Sequence, residues 1–141
     1  MDLTFVVDRI RSQNLGFKQL GGSADLDAAM AGSVIPPAAF VIPLREKADP
    51  SEITMVTRQR ITTVFGVVMA VMNRRDAQGA ASLVELNAYR SPLRTALAGW
   101  VHDAESGEPM QYESGNLLRL DGDGRLWWID EFFYMSTFRS N

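Results

Sequence analysis

Hydrophobic and polar positions change their period several times along this chain. Near the start, Leu3, Phe5, Val6, Val7 and Ile10 include the spacing of one helical face, with Asp2 placed to cap the N-terminus and Gly16 to end the segment. This predicts a helix over about Leu3 to Gln13. An extended piece around Phe17 to Leu20 then meets Gly21-Gly22-Ser23, where Ser23 is placed to cap a short helix with Asp25 and Asp27 near its positive end, stopping by Gly32. Pro36-Pro37 sets an extended approach into the apolar run Ala38 to Ile42, which has strand length, and Pro43 puts the end of that strand at an edge or a bulge. The polar stretch Leu44 to Glu52, with Asp49-Pro50-Ser51 as a turn signal, predicts a solvent-exposed loop between two strands.

The period then becomes two. From Ile53, Met55, Thr57, Gln59, Ile61, Thr63 and Phe65 alternate with Val56, Arg58, Arg60, Thr62 and Val64, and from Val64 to Met72 both faces are apolar. A strand over Ile53 to Met72 would span roughly 65 Å at about 3.3 Å per residue, far beyond the ordinary length, so a bend or bulge is expected near Gly66. The outer half is expected to project from the domain while the inner half runs through its core. After the polar connection Asn73 to Gly79, Leu83, Leu86, Leu93 and Leu97 mark a helical face. Pro92 interrupts it: either the helix kinks there, or Ser91 caps a second helix, and Gly99 closes the segment in both cases. His102 to Pro109 is a polar loop. Gly115 to Leu120 and Arg125 to Ile129 flank Asp121-Gly122-Asp123-Gly124, a hairpin signal; the second strand is expected to run on toward Phe138, with Arg139-Ser140-Asn141 frayed.

The order helix, short helix, strand, long strand, helix, strand, strand predicts an α+β two-layer sandwich. Its sheet is mixed but mainly antiparallel, its helices pack on one face, and a long β-strand or hairpin projects from it. With 141 residues, 46% of them apolar, the chain suits one domain over 1–141 with a full core. A net charge of −3 disfavours duplex DNA and anionic membranes as average partners. The absence of cysteine excludes a disulfide framework, thiol catalysis and cysteine-ligated zinc, and the single histidine excludes a two-histidine metal site within one chain. No apolar run reaches the roughly 18 residues of a membrane span, and the start Met1-Asp2-Leu3-Thr4 lacks a basic signal region. The expectation is a protein kept in a cytoplasm, without cofactor or metal.

Candidate chemistry is thin. Asp121 and Asp123 suggest a calcium loop, but the positions that would need Gly and Glu hold Leu126 and Phe132, so a hairpin turn is the better reading. Asp130 and Glu131 are a carboxylate pair, yet strand neighbours point to opposite faces and cannot share a substrate. His102 stands in a loop with no second histidine or cysteine to complete a site. Arg58 and Arg60 lie on one face of the projecting strand, and Arg74 and Arg75 sit where it turns toward the helix; as solvated surface they need no function. Trp127 and Trp128 alternate on a strand and cannot enter the same side of the core, so one must pack under a loop or against another subunit.

At the level of the whole chain, the residues Pro36-Pro37-Ala38-Ala39-Phe40-Val41-Ile42-Pro43-Leu44, Arg60 to Val68, Asn73 to Ala81, Leu97-Ala98-Gly99-Trp100 and Leu126-Trp127-Trp128-Ile129-Asp130-Glu131-Phe132 occur in an order that resembles the tail terminator proteins of long-tailed bacteriophages. Pro92 departs from that pattern, in which the helix runs unbroken toward the Gly-Trp corner. The resemblance implies a non-enzymatic virion protein with a mixed α/β sandwich fold. It would form a hexameric ring on the last ring of the tail tube protein, stop tail polymerisation and present a surface to the head-side connector protein. Phage DNA would pass through without sequence-specific binding, no membrane being involved, and the protein would sit at the head-proximal end of the tail after assembly in the host cytoplasm. Arg58, Arg60, Arg74, Arg75, Trp127 and Trp128 are then candidates for the subunit or tube interface. Two other classes stay open: a head–tail connector or tail completion protein, and a small ligand-binding or enzymatic α+β domain.

Overall fold

The computed structural model describes residues 2–51, 55–72, 80–105 and 107–140. Helix α1 (Thr4–Ser12) is followed by strand β1 (Gln19–Gly22), helix α2 (Ser23–Ala28), which runs into a π-helical turn (Ala29–Ser33), strands β2 (Ala38–Ala48) and β3 (Thr57–Met72), helix α3 (Ala80–Leu97), and strands β4 (Gln111–Leu120) and β5 (Arg125–Ser140). Among the described residues the strands form one open sheet in the order β1-β2-β3-β5-β4, parallel only between β1 and β2. The expected α+β class with a mainly antiparallel sheet is the class observed.

Alternation along β3 builds both sides of the core. Phe65, Val67, Met69 and Val71 join Val6 and Ile10 of α1 and Leu86, Leu93 and Leu97 of α3 in one buried cluster. On the other side, Val68 and Ala70 pack with Phe40, Trp127 and Ile129 beneath Ala29 and Val34, with Leu26 and Met30 at the margin. The segment from α2 through the π-helical turn therefore covers part of the face that α1 and α3 leave open. A two-sided sheet also resolves the tryptophan problem: Trp127 enters the second cluster, while Trp128 packs against the first. Both find places inside one chain.

Local signals act much as their chemistry dictates. The Asp2 carboxylate accepts from the Thr4 backbone N–H at 2.9 Å and from its hydroxyl at 2.6 Å, which holds the entry of α1. The chain leaves α1 through Asn14 in the left-handed region, ahead of Gly16. Helix α3 continues through Pro92 without becoming two helices. The carbonyl that would have met the missing N–H belongs to Ala88, which is exposed, while Leu93 and Leu97 beyond it stay buried. Leu83, expected on the packed face, is instead 42% exposed.

Three further expectations are corrected. First, Leu44 to Ala48 is strand, not loop: Arg45 to Ala48 pair with Ile61 to Val64, and a backbone ladder needs no apolar side chains on its exposed strand. Secondly, β3 carries no bulge at Gly66: its register with β5 runs unbroken from Thr57 to Met72. The irregularity falls on β2 between Pro43 and Arg45, where β1 no longer pairs and proline's missing N–H is not needed. Gly66 answers to space instead, since an added Cβ would lie 2.5 Å from Ile129 Cδ1. Thirdly, Arg139 and Ser140 are not frayed; they pair with Arg58 and Thr57. Together, β2 from Arg45, β3 up to Thr63 and β5 from Tyr134 make a three-stranded arm, exposed toward its tip.

Candidate assembly interface

The arm carries the arginines singled out from the sequence. Cross-strand partners share a face, as do residues two apart on a strand. Arg58 lies opposite Arg139, Arg60 opposite Thr137, Lys47 opposite Thr62 and Arg45 opposite Val64, so five cations occupy one face of the arm. Two of them are tied down. The Arg60 guanidinium donates to Glu108, and Arg45 reaches Glu113 at 3.1 Å and Glu131 at 3.7 Å. Among the described residues Lys47, Arg58 and Arg139 form no ion pair. Arg74 and Arg75 lie outside the described residues. Lys47, Arg45 and Arg139 lie in segments whose sequence predicts a loop and a frayed end; the signal for them is the alternation from Arg58 and Arg60 continued across the sheet.

The tryptophans do different work. Trp127 is fully buried and presents no surface to another molecule, so its place in the interface set is corrected to a core residue; Arg119 lies 5.4 Å over its ring and donates to the Met30 carbonyl. Trp128 is half-buried under Arg90, whose guanidinium carbon is 4.6 Å from the ring centre. Its indole N–H donates to the Asp130 carboxylate at 2.9 Å.

Asp130 and Glu131 do point to opposite faces. The wholly buried Asp130 carboxylate accepts from Arg90 at 2.9 Å and 3.0 Å as well as from Trp128, and lies 3.4 Å from the Tyr112 hydroxyl. This forked pair pins α3 to the sheet and leaves the carboxylate no open side for a substrate. Glu131 accepts from the Ser114 hydroxyl at 3.0 Å on the other face. His102 is stacked on Phe5 at 4.7 Å and set edge-on to Tyr134 at 4.6 Å, and burial lowers its pKa despite the opposing pull of Asp103. A partly exposed imidazole packed among rings, its Nδ1 without a hydrogen-bond partner among the described residues, is a structural histidine. Asp121 and Asp123 bracket the β4–β5 turn, bridging to Arg119 and Arg125, and Gly124 takes the positive φ the turn requires. Among the described residues no three His, Asp or Glu side chains converge as a metal site would need.

The chain thus presents a packed body with a projecting arm on which, among the described residues, Lys47, Arg58 and Arg139 form no ion pair. It matches the family model described as phage tail terminator protein over residues 1–140. No curated protein matches. Among solved structures, the chain is similar to one in a structure titled as the virion of a native gene transfer agent (GTA) particle, at 14% identity, covering 89% of this chain and 90% of that one, with a TM-score of 0.41. A family match that takes in α1, the whole sheet and the arm alike shows that the chain belongs to the phage tail terminator protein family.

Proposed function

We propose that residues 1–141 act as one tail-terminator domain, a non-enzymatic virion component that closes into a ring of six on the end of the tail tube. The ring stops tube polymerisation and offers its other side to the head-side connector. The observation that carries this reading is the family match over 1–140. The arm supports it, because a projecting sheet with unpaired cations suits a protein that completes its surface with neighbours. Arg58 and Arg60 are the interface residues on the arm, and Arg74 and Arg75 join them on sequence grounds. Six copies carry a formal charge of about −18, so DNA passing through experiences net repulsion rather than adhesion. Assembly takes place in the host cytoplasm, and the finished ring sits at the head-proximal end of the tail.

Genetic removal followed by particle counting tests the role. Loss of the protein is expected to give tubes of uncontrolled length and heads without tails, both corrected by the wild-type chain. Normal tail lengths with unjoined heads would instead favour a connector protein.

A further inference from the structure

The arm has two unlike faces. One carries Arg45, Lys47, Arg58, Arg60 and Arg139, with Asp49 continuing the alternation from Lys47 opposite Arg60; the other carries Glu46 as its one charge among the described residues, beside neutral positions such as Gln59, Ser136 and Phe138. Arg58 and Arg139 are directly opposite, an arrangement that destabilises an isolated ladder because like-charged residues occupy facing positions. Nothing described within the chain offsets it. By sequence, five cations and three carboxylates give residues 44–60 and 134–141 a formal +2, which leaves −5 on the rest of a chain of −3.

We infer that the cationic face of the arm docks on the acidic body of a second copy of this chain, a contact that rests on the ring reading and names the surface making it. Arm and body are different surfaces, so the contact is heterologous, and contacts of that kind generate closed rings when the rotation permits. Lys47, Arg58 and Arg139 then find in the neighbour the carboxylates with which they form no ion pair among the described residues of their own chain. Duplex DNA is the competing polyanion, but each arm is joined to a body of −5 that repels it, whereas the same body attracts the arm of another copy.

Charge reversal tests this directly. Arg58→Glu with Arg139→Glu removes the facing like-charge pair's sign and is expected to keep Tm within a few degrees. It should raise the protein concentration needed for ring formation, read by mass photometry in the presence of tube, at least tenfold. Wild-type rings should weaken with added salt. Lys47→Gln with Arg58→Gln, which introduces no new charge, is expected to move the same way by a smaller factor and serves if the reversed variant does not fold. A chain without cysteine also allows a single photo-crosslinker at Thr137→Cys on the cationic face. In a mixture of isotopically light and heavy protein, its products should join this face to carboxylate-bearing body peptides of a second copy. If wild-type and reversed protein form rings at the same concentration, the proposal is overturned while the ring reading stands. Loss of duplex DNA binding alone in the reversed variant would likewise overturn it, in favour of a nucleic-acid face. Wild-type protein that forms no ring even with tube removes both readings.

Discussion

At the residue scale, the charged groups that look catalytic in the sequence are those most engaged in holding the fold. Asp130 accepts from Arg90 and Trp128 in a buried setting, so Asp130→Ala strands a guanidinium and an indole N–H and is expected to cost about 3–5 kcal/mol. Urea denaturation measures this. Gly115 belongs to the same cluster, since an added Cβ would meet Asp130 Oδ1 at 2.7 Å and the Tyr112 hydroxyl at 2.8 Å. Gly115→Ala should therefore destabilise as well, and less than additively with Asp130→Ala. His102 gives a pH signature. Its pKa in the folded chain lies below the ordinary 6.5, so the unfolded chain takes up the proton first as pH falls. Its contribution is fully present above pH 6.5 and is lost as pH drops below that value toward the folded pKa. The fall in Tm between pH 7.5 and pH 5.5 should be smaller in His102→Phe, which keeps a ring against Phe5 and Tyr134.

At the element scale, what was legible in the sequence was what apolar periodicity encodes. Val6 and Ile10 located α1, Leu86, Leu93 and Leu97 located α3, and the apolar run to Met72 located the central strand. The arm is hidden from periodicity because Arg45 to Ala48 and Arg139-Ser140 are held by backbone pairing and by the ion pairs of Arg45, and a ladder exposed toward its tip leaves no apolar stripe to read. Gly66 was noticed for the wrong reason: glycine in a strand signals either a bulge or a close approach, and only the packing of Ile129 decides which. Gly66→Ala should cost about 1–3 kcal/mol through overpacking, part of it recovered by Ile129→Val, which deletes the clashing Cδ1; thermal unfolding of the two variants checks this. On the arm, Arg58→Ala with Arg60→Ala removes exposed cations worth about 0–1 kcal/mol to one chain. Tm is expected to stay within a few degrees while assembly on tubes weakens, an effect read by pelleting the protein with tubes.

At the scale of the whole molecule, the body is a sheet packed on both faces and the arm is the part left over. Periodicity located the body's layers, whereas of the cationic face only Arg58 and Arg60 were legible, because a face on a solvated ribbon is defined by register across three strands and not by spacing within one. Register also separates Trp127 from Trp128: adjacent in sequence, they serve opposite clusters, Trp127 fully buried and Trp128 partly exposed. The assembly claim accordingly rests on the arm and on the family. Negative-stain imaging of the purified protein mixed with tail tubes tests it most directly. The account predicts a ring of sixfold symmetry seated at one end of each tube; bare tube ends beside protein that remains monomeric would contradict it.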